Sequence, residues 1–307
     1  MKKVYFLDTV HSVLNERLSF ANYKCIDVTN KNIEELMAIL PDAYGIVLRS
    51  RFTLNQEILS ICHQLKFIAR SGSGLENIDL EYCIKNQIEV YSSPEGNRKA
   101  VAEHCLGFSL SLLNNFKSAD KEINNGEWLR EKNRGLELSN QCVGIIGYGN
   151  NGKEFAQLLN NQNVSVLAHD KYKTGFSEGA IKESSLEEIF KKASIISFHV
   201  PLSKETTYMA DYQFFKSFKS PVRVINISRG KVLKTKDLIK ALDERLVLGA
   251  ALDVLEEESK SFTIEAKNNV LVDLNNRANV IITPHVAGWT KESYFKLSNV
   301  LADKILK

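Results

Sequence analysis

The sequence predicts an α/β protein with two domains, each built on a doubly wound parallel sheet that helices cover on both faces. Strand-like and helix-like segments alternate over the first hundred residues, which is typical of such a sheet. A glycine-rich turn in mid-chain begins a second run of the same kind. The 307 residues are enough for two domains of ordinary size.

The first domain is predicted from five apolar runs with helical patterns between them. The expected strands are Lys3–Leu7, Lys24–Val28, Gly45–Arg49, Lys66–Ala69 and Ile88–Tyr91. The expected helices between them are Asn32–Leu40, Leu54–Leu65 and Asp79–Asn86. A longer helix, rich in Leu, Ala and Phe, is expected from about Arg98 to Asn124 and would cross between the domains.

The second domain is predicted from six further apolar runs. The expected strands are Val143–Gly147, Val164–His169, Ile195–His199, Val222–Ile227, Leu248–Leu252 and Val280–Thr283. The last helix, Lys291–Lys307, is expected to pack back on the first domain, which would make that domain discontinuous. The predicted division is therefore 1–97 with 286–307 for the first domain and 98–285 for the second.

Composition and charge exclude several classes of protein. The net charge of +3 is nearly balanced, so the field of the whole molecule favours neither a nucleic-acid nor a membrane partner. No apolar run approaches the ~18 residues of a membrane span. The five cysteines are odd in number, lie in apolar stretches and lack metal-ligand spacing. We therefore expect reduced thiols, a cytoplasmic location and no metal site.

The mid-chain glycines have the G-x-G-x-x-G spacing of a dinucleotide-binding turn. The first glycine permits a tight turn, the second lets the backbone approach a pyrophosphate, and the third lets the helix pack on the strand. The helix N-terminus would bind the phosphates. The expected cofactor contacts of this turn are Gly147, Tyr148, Gly149, Asn150, Asn151 and Gly152.

A second apolar run ends in Asp170, 18 residues after the third glycine. Its carboxylate can accept hydrogen bonds from an adenosine ribose and would repel a 2′-phosphate, so NAD is favoured over NADP. Lys171 and Lys173 lie nearby and weaken that preference.

Three later segments each follow a predicted strand. They are Asn226–Gly230, Ala250–Glu258 and Thr283–Thr290. In an open α/β sheet, ligands bind at the carboxyl ends of the strands. Arg229, Glu258 and His285 are therefore expected to converge on one cleft.

These segments, in this order, resemble the D-isomer-specific 2-hydroxyacid dehydrogenases, and the resemblance covers nearly the whole chain. Further matching segments are Arg49-Ser50, the loop Arg70–Gly74, Asn97 and His199–Leu202 with Thr206. The resemblance implies a flavodoxin-like substrate domain and a Rossmann NAD domain, with the active site in the cleft between them. It also implies a homodimer built through the cofactor domains.

The resemblance also assigns three catalytic roles. His285 would exchange a proton with the substrate oxygen, Glu258 would pair with His285, and Arg229 would polarise the carbonyl and hold the carboxylate. The family acid falls five residues after the Asp of the Ala-Leu-Asp-Val segment, which selects Glu258. Glu256 and Glu257 are its alternatives.

The remaining site residues are also implied by the resemblance. The further cofactor contacts are His199, Val200, Pro201, Thr206, Ile227, Ser228, Asp253, Ala287 and Gly288. The substrate contacts are Arg49, Ser50, Ser73, Gly74, Asn97 and Arg229. No role is expected for His11, His63, His104 or His169.

Cationic residues favour a phosphorylated 2-hydroxy or 2-oxo acid as the substrate. They are Arg49, Arg70, Arg130, Lys132 and Arg134. Arg49-Ser50 and the connection 128–138 resemble the 3-phosphoglycerate dehydrogenases, so 3-phospho-D-glycerate oxidation in serine biosynthesis is the leading expectation. Alternatively, these cations form a solvated face or interdomain ion pairs.

Two other functions stay open. The enzyme alternative is reduction of a smaller acid, as a D-lactate dehydrogenase or a glyoxylate/hydroxypyruvate reductase. The non-enzyme alternative is an NAD(H)-sensing, co-repressor-like binding protein. Because the chain ends just after the predicted last helix, feedback by serine through a C-terminal regulatory domain is not expected.

Overall fold

The computed structural model describes residues 1–259, 262–265 and 268–307. The chain divides into two compact units. Unit 1 contains Met1–Arg98, Ser259–Thr263 and Trp289–Lys307, and unit 2 contains Lys99–Glu258 and Ile264–Gly288. The domain boundaries expected after residues 97 and 285 stay a prediction.

Unit 1 is built on a five-stranded parallel sheet. Its strands are β1 (Lys2–Phe6), β2 (Tyr23–Asp27), β3 (Gly45–Leu48), β4 (Phe67–Arg70) and β5 (Glu89–Ser92). The order β2-β1-β3-β4-β5 is that of a flavodoxin-like sheet. Each strand lies within one residue of a predicted strand, so these predictions are confirmed.

Four helices connect these strands. They are α1 (Ser12–Phe20), α2 (Ile33–Ile39), α3 (Gln56–Ser60) and α4 (Leu80–Lys85). The side chains of Asn32, Asn55 and Asp79 cap the last three by accepting backbone N–H groups. The predicted helix Leu54–Leu65 was too long at both ends. Helix α1 has no predicted counterpart, because it buries only Leu14 and Leu18 in a polar stretch.

Unit 2 is built on a seven-stranded parallel sheet. Its strands are β6 (Cys142–Ile146), β7 (Ser165–His169), β8 (Ile181–Glu183), β9 (Ile195–Phe198), β10 (Val222–Asn226), β11 (Val247–Leu252) and β12 (Val280–Ile282). The order is β12-β11-β10-β9-β6-β7-β8. The direction of winding therefore reverses between β6 and β9, which is where such sheets bind ligands. The short strand β8 was not predicted.

Eight further α-helices lie in the described residues of the two units. They are α5 (Pro94–Leu113), α6 (Phe116–Asn124), α7 (Asn150–Asn160), α8 (Leu186–Lys192), α9 (Tyr212–Lys216), α10 (Thr235–Asp243), α11 (Asn269–Asn276) and α12 (Lys291–Ile305). The single helix predicted from Arg98 to Asn124 is wrong. Two helices, α5 and α6, occupy this region instead, and the first of them begins at Pro94. The left-handed backbone of Asn115 (φ 54°) separates them. No described helix has the length and apolarity needed to cross a membrane.

Both faces of each sheet are buried. Along β1, Val4 and Phe6 belong to one apolar cluster and Tyr5 to another, as the two-residue period of a strand requires. Helix α12 covers the first face in unit 1 through Leu301 and Ala302. With the faces covered, the strand ends are the places where polar side chains can meet a ligand.

Candidate active site

Three loops of unit 2 begin at the carboxyl ends of neighbouring parallel strands. Arg229 follows β10, Glu258 lies in the loop after β11, and His285 follows β12. Because β12, β11 and β10 are adjacent and parallel, these loops start at the same edge of the sheet. The sequence therefore places three polar or charged side chains on one edge.

His285 and Glu258 are in direct contact. Nδ1 of His285 lies 2.8 Å from Oε2 of Glu258, and the two side chains are 19% and 13% exposed. The other oxygen, Oε1, accepts the backbone N–H of Leu255 at 2.8 Å. Glu258 thus holds its own loop and the imidazole ring at once, which fixes the orientation of the ring.

The two neighbouring glutamates have different surroundings. Glu256 accepts the hydroxyl of Tyr208 at 2.7 Å and the backbone N–H of Thr235 at 3.0 Å. Burial raises the pKa of Glu257, and the adjacent carboxylates raise it further. Of the three consecutive glutamates, Glu258 is the one in contact with His285.

Asp253 fixes the loop that carries His285. It is 1% exposed, and its carboxylate accepts the backbone N–H groups of Val286 (2.9 Å) and Ala287 (2.8 Å) and the hydroxyl of Thr283. The N–H of His285 also donates to the carbonyl of Asp253 at 2.8 Å. His285 has a positive φ of 55°, a conformation that a non-glycine residue keeps only when its surroundings fix it.

His104, for which no role was expected, extends this network. Its Nε2 lies 3.1 Å from Oγ1 of Thr283 and 3.9 Å from Oδ1 of Asp253. Burial lowers the pKa of His104, while the charge of Asp253 opposes the shift. Since the Thr283 hydroxyl donates to Asp253, it accepts from His104 Nε2–H. No local pattern could reveal this contact, because the two residues are 179 positions apart.

The turn that carries Arg229 is shaped by Asn226, another residue absent from the expected site. The buried side-chain oxygen of Asn226 accepts the backbone N–H of Ser228 (3.1 Å) and its hydroxyl (2.8 Å). Its amide donates to the carbonyl of Arg229 at 3.1 Å. Nη1 of Arg229 donates to the carbonyl of Ser228 at 2.7 Å. Asn226 is the first residue of the matching segment Asn226–Gly230, and that position was the sequence signal for its role at the site.

The glycine-rich turn has the geometry that a dinucleotide requires. Gly147 has φ +94°, and a Cβ there would lie 2.8 Å from the carbonyl oxygen of His199. A Cβ on Gly152 would lie 2.0 Å from the carbonyl oxygen of Gly147, so α7 can approach β6 only with glycine here. Around Gly149, the N-cap residue of α7, which provides no side-chain cap, there is open space. A phosphate can therefore reach the helix N-terminus.

Asp170 links this turn to the end of β7. Its carboxylate accepts the backbone N–H groups of Tyr148 (2.8 Å), Tyr172 (2.9 Å) and Lys173 (3.1 Å). Burial alone would raise the pKa of Asp170, but these hydrogen bonds and the charge of Lys173 lower it below its ordinary value. The ionised carboxylate has further lone pairs with which to accept ribose hydroxyls.

Two buried polar atoms near this turn have no hydrogen-bond partner among the described residues. They are Oδ1 of Asn151 and Nδ1 of His199. Nε2 of His199 lies 2.8 Å from the hydroxyl of Ser197, and burial lowers the pKa of His199 to about 3, so its ring is neutral. These groups and the open space at Gly149 lie at the reversal between β6 and β9, and together they fit a dinucleotide.

The other expected cofactor residues surround the same strand ends. In the loop after β9, Thr206 donates its hydroxyl to the carbonyl of Pro201 at 2.6 Å, next to Val200. Ile227 and Ser228 follow β10, and Ala287 and Gly288 follow His285. No group of three or more His, Cys, Asp or Glu residues in the described ranges is arranged to hold a metal ion.

The expected substrate residues outside Arg229 all lie in unit 1. Arg49 and Ser50 follow β3, and Ser73 and Gly74 follow β4. Asn97 lies in the first turns of α5, where its Oδ1 accepts the hydroxyl of Ser73 at 3.2 Å. These residues therefore share one end of the unit 1 sheet.

Most of the expected cations do not form an open positive surface. In unit 2, Arg130 and Arg134 form exposed ion pairs with Glu131, and Lys132 pairs with Glu122, whose side chain is buried. Arg70 is buried and lies over Gly72. These three pairs all lie within unit 2, so Arg130, Lys132 and Arg134 are engaged locally.

The sequence was compared with protein families and known proteins. Residues 106–287 match the model of the D-isomer specific 2-hydroxyacid dehydrogenase, NAD binding domain. A D-3-phosphoglycerate dehydrogenase from Archaeoglobus fulgidus is 31% identical over 280 residues, which are 91% of this chain and 52% of the relative. A hydroxypyruvate reductase from Thermotoga maritima is 30% identical over 288 residues, covering 93% and 92%. The chain spans about half the length of the matched phosphoglycerate dehydrogenases.

Solved structures show the same fold. A D-lactate dehydrogenase from Aquifex aeolicus, crystallised with NAD and lactic acid, has a TM-score of 0.84 and 28% identity, covering 99% of this chain and 94% of that one. A D-2-hydroxyisocaproate dehydrogenase has a TM-score of 0.85 at 22% identity, covering 100% and 96%. The predicted fold of two doubly wound parallel-sheet domains is confirmed.

Proposed function

Because the chain belongs to the D-isomer-specific 2-hydroxyacid dehydrogenase family, we propose that it oxidises 3-phospho-D-glycerate to 3-phosphohydroxypyruvate. The enzyme is an NAD-dependent oxidoreductase that acts on 2-hydroxy acids. The observation that carries the proposed chemistry is the 2.8 Å contact between His285 and Glu258, in loops beside the one that carries Arg229.

In this proposal His285 is the general acid and base. It accepts the proton of the C2 hydroxyl during oxidation and returns it to the carbonyl oxygen during reduction. Since Nδ1 is engaged by Glu258, Nε2 is the nitrogen that exchanges the proton. The carboxylate of Glu258 stabilises the imidazolium that forms during oxidation. NAD, when bound, supplies the acceptor for the hydride that leaves C2.

Arg229 and unit 1 hold the substrate in this proposal. The planar guanidinium of Arg229 contacts the carbonyl oxygen and one carboxylate oxygen, a two-point contact that a lysine cannot make. The backbone N–H groups of Ser73 and Gly74 bind the same carboxylate. Asn97, which accepts the hydroxyl of Ser73, lies at the carboxylate end. Arg49 and Ser50 bind the far end of the molecule.

The proposed cofactor contacts follow the geometry of the glycine-rich turn. The N-terminus of α7 binds the pyrophosphate, and Asp170 accepts the ribose hydroxyls. The resemblance places Asp253 among the cofactor contacts. Because both of its oxygens already bind the His285 loop, we propose that it acts mainly through that loop.

The substrate is tested by initial rates with NADH and three 2-oxo acids. Phosphohydroxypyruvate, hydroxypyruvate and pyruvate differ only at C3, so their kcat/KM values compare recognition of that position. We expect phosphohydroxypyruvate to be preferred by at least an order of magnitude, the scale of a charge-assisted contact. A preference for pyruvate would reassign the enzyme to D-lactate.

Reduction of hydroxypyruvate is the second candidate. It is favoured by the Thermotoga maritima relative, which the chain covers over 92% of its length, against about half for the phosphoglycerate dehydrogenases. The rate comparison decides between them, because a hydroxypyruvate reductase would gain nothing from the phosphate. A role in serine biosynthesis and a cytoplasmic location follow from the first candidate and stay predictions.

We also propose that the enzyme is a homodimer formed through unit 2. Several large apolar side chains there are exposed. They are Leu110 (37%), Phe116 (56%), Ile123 (52%), Trp128 (83%) and Leu136 (47%). Exposed apolar side chains that form one contiguous patch mark contact surfaces. Light scattering after gel filtration should give twice the mass of one chain, and Phe116→Lys with Trp128→Lys should give monomers. A monomeric wild type would contradict the proposal.

A further inference from the structure

In unit 1, the side chain of Arg49 lies on the indole ring of Trp289. The guanidinium carbon is 3.8 Å from the ring centroid, within the distance of a strong cation–π contact. Arg49 is half-buried, and burial lowers its pKa while Asp8 and Tyr294 oppose the shift. A guanidinium remains protonated even so. The ring of Trp289 therefore stabilises the guanidinium charge of Arg49, which burial has deprived of part of its hydration.

The guanidinium of Arg49 makes no hydrogen bond or ion pair with any side chain in the described part of the chain. Only its main chain is fixed, by an N–H donated to Asp8 and by a carbonyl that accepts Nδ2 of Asn77 at 3.1 Å. A stack uses the face of the guanidinium and leaves the N–H groups at its edge available. The side chain is thus held in place with its donors unoccupied.

Trp289 is itself held by a second contact. Its ring packs edge-on against Tyr294, with centroids 5.2 Å apart. The next residue, Thr290, forms a capping box with Ser293 at the start of α12. Since α12 packs on α1 within unit 1, the position of Trp289 is set by the fold of that unit and not by Arg49 alone.

We propose that Trp289 is a specificity-determining positioning residue, which holds Arg49 so that its N–H edge binds the phosphate at C3 of the substrate. The inference rests on the proposed function and names the residue that sets its preference for a phosphorylated acid. A dianionic phosphate matches the fork of a guanidinium better than a hydroxyl does. Removing the indole leaves Arg49 charged but loosely oriented.

The kinetic test compares Trp289→Ala and Trp289→Phe with the wild type. In Trp289→Ala we expect KM for phosphohydroxypyruvate to rise about tenfold with little change in kcat, and KM for hydroxypyruvate to stay within about twofold. Trp289→Phe keeps a ring and should restore most of the loss. Phe20→Ala is the matched control, because Phe20 is a 94% exposed aromatic residue of unit 1 and should change neither constant.

A double-mutant cycle separates positioning from a general effect on the fold. In an Arg49→Ala background, Trp289→Ala should cause no further loss, because the residue that it positions is gone. If the losses from Arg49→Ala and Trp289→Ala were additive, the role of Trp289 would be overturned. An equal loss of kcat/KM for both substrates in Trp289→Ala would overturn it too, and in either case the proposed substrate would stand. Equal kcat/KM for both substrates in the wild type would overturn the proposed substrate instead.

Fluorescence tests the same contact without catalysis. The chain has two tryptophans, so Trp128→Phe leaves Trp289 as the only indole emitter. Titration of this variant with phosphohydroxypyruvate, and separately with inorganic phosphate, should give a saturable change in emission. The change should disappear when Arg49→Ala is added. No change with either anion would overturn the inference, whatever the enzyme reduces.

Discussion

The His285 loop of unit 2 and the Arg49 side chain of unit 1 are held in opposite ways. The loop is fixed by hydrogen bonds: Asp253 accepts three donors from it, and Glu258 contacts the imidazole. The guanidinium of Arg49 is fixed by a stack on Trp289 and makes no hydrogen bond with the described residues. Asp253 satisfies the hydroxyl and backbone donors that fix the His285 loop, whereas the guanidinium of Arg49 keeps its donors open.

This difference corresponds to the chemistry proposed for each region. A group that transfers a proton must keep one ring orientation and one tautomer, which hydrogen bonds to its other nitrogen and to its loop provide. A group that recognises an anion must keep its donors for the ligand, so contacts that leave those donors unused are better suited to hold it. We expect four perturbations to separate the two modes.

The largest expected effect is on proton transfer. His285→Ala should lower kcat about 10²–10⁴-fold, the range that a positioned general acid or base contributes. Binding of NADH, followed by fluorescence, should be unchanged, since the proposed cofactor contacts of the glycine-rich turn are intact. His63→Ala, at an exposed position, is the control. A kcat within a few-fold of the wild type would remove the acid–base role.

Asp253→Asn should be the next largest, because it breaks the hydrogen-bonded region from within. The amide would place its NH₂ group against the N–H of either Val286 or Ala287, leaving a buried donor unsatisfied. We expect the free energy of unfolding in urea to fall by about 2–3 kcal/mol. Displacement of His285 should lower kcat by on the order of 10²-fold.

Two variants calibrate the loss in Asp253→Asn. Asp79→Asn keeps a helix cap and should change the unfolding free energy by less than about 0.5 kcal/mol. Arg49→Met should cost little more, because the guanidinium makes no hydrogen bond to lose. If Arg49→Met destabilised the protein as much as Asp253→Asn, the contrast between the two regions would not hold.

The sequence could predict those parts of the structure that leave a pattern in neighbouring residues. The strands were located to within about one residue because both faces of each sheet are buried, which requires continuous apolar runs. The resemblance, in which the family acid follows the Asp of the Ala-Leu-Asp-Val segment by five residues, selected Glu258, which is the glutamate in contact with His285. Helix α1, strand β8 and the interruption at Asn115 were missed, since each depends on a few residues that the tertiary fold stabilises.

The supporting residues of the site were harder to predict than its charged residues. Asn226, His104 and Thr283 act through contacts that exist only in the folded chain, and the contact between the last two spans 179 positions. The stack of Arg49 on Trp289 joins residues 240 positions apart. A single sequence contains motifs but carries no signal for such pairs.

Thr283→Val should have a smaller effect than Asp253→Asn. It removes the hydroxyl that donates to Asp253 and accepts from His104, while keeping the shape of the side chain. We expect the unfolding free energy to fall by about 1 kcal/mol, the net value of a buried hydrogen bond. Thr283→Ser retains the hydroxyl and should recover most of the loss. Equal losses in the two variants would assign the effect to packing.

The smallest expected effect is the dependence of stability on pH through His104, whose side chain is 24% exposed. Burial lowers its pKa below the ordinary value of 6.5, so the unfolded chain takes up a proton at a higher pH than the folded chain does. The neutral, buried His104 therefore makes its full contribution to the unfolding free energy at a pH above 6.5, its ordinary pKa. That contribution declines as the pH falls below 6.5. In His104→Gln, the unfolding free energy measured in urea should decline less steeply between pH 7 and 5.

Arg49→Met is the control and should leave this slope unchanged, because a guanidinium does not titrate in this range. Equal slopes in His104→Gln and the wild type would show that acid does not act on the His285 loop through His104.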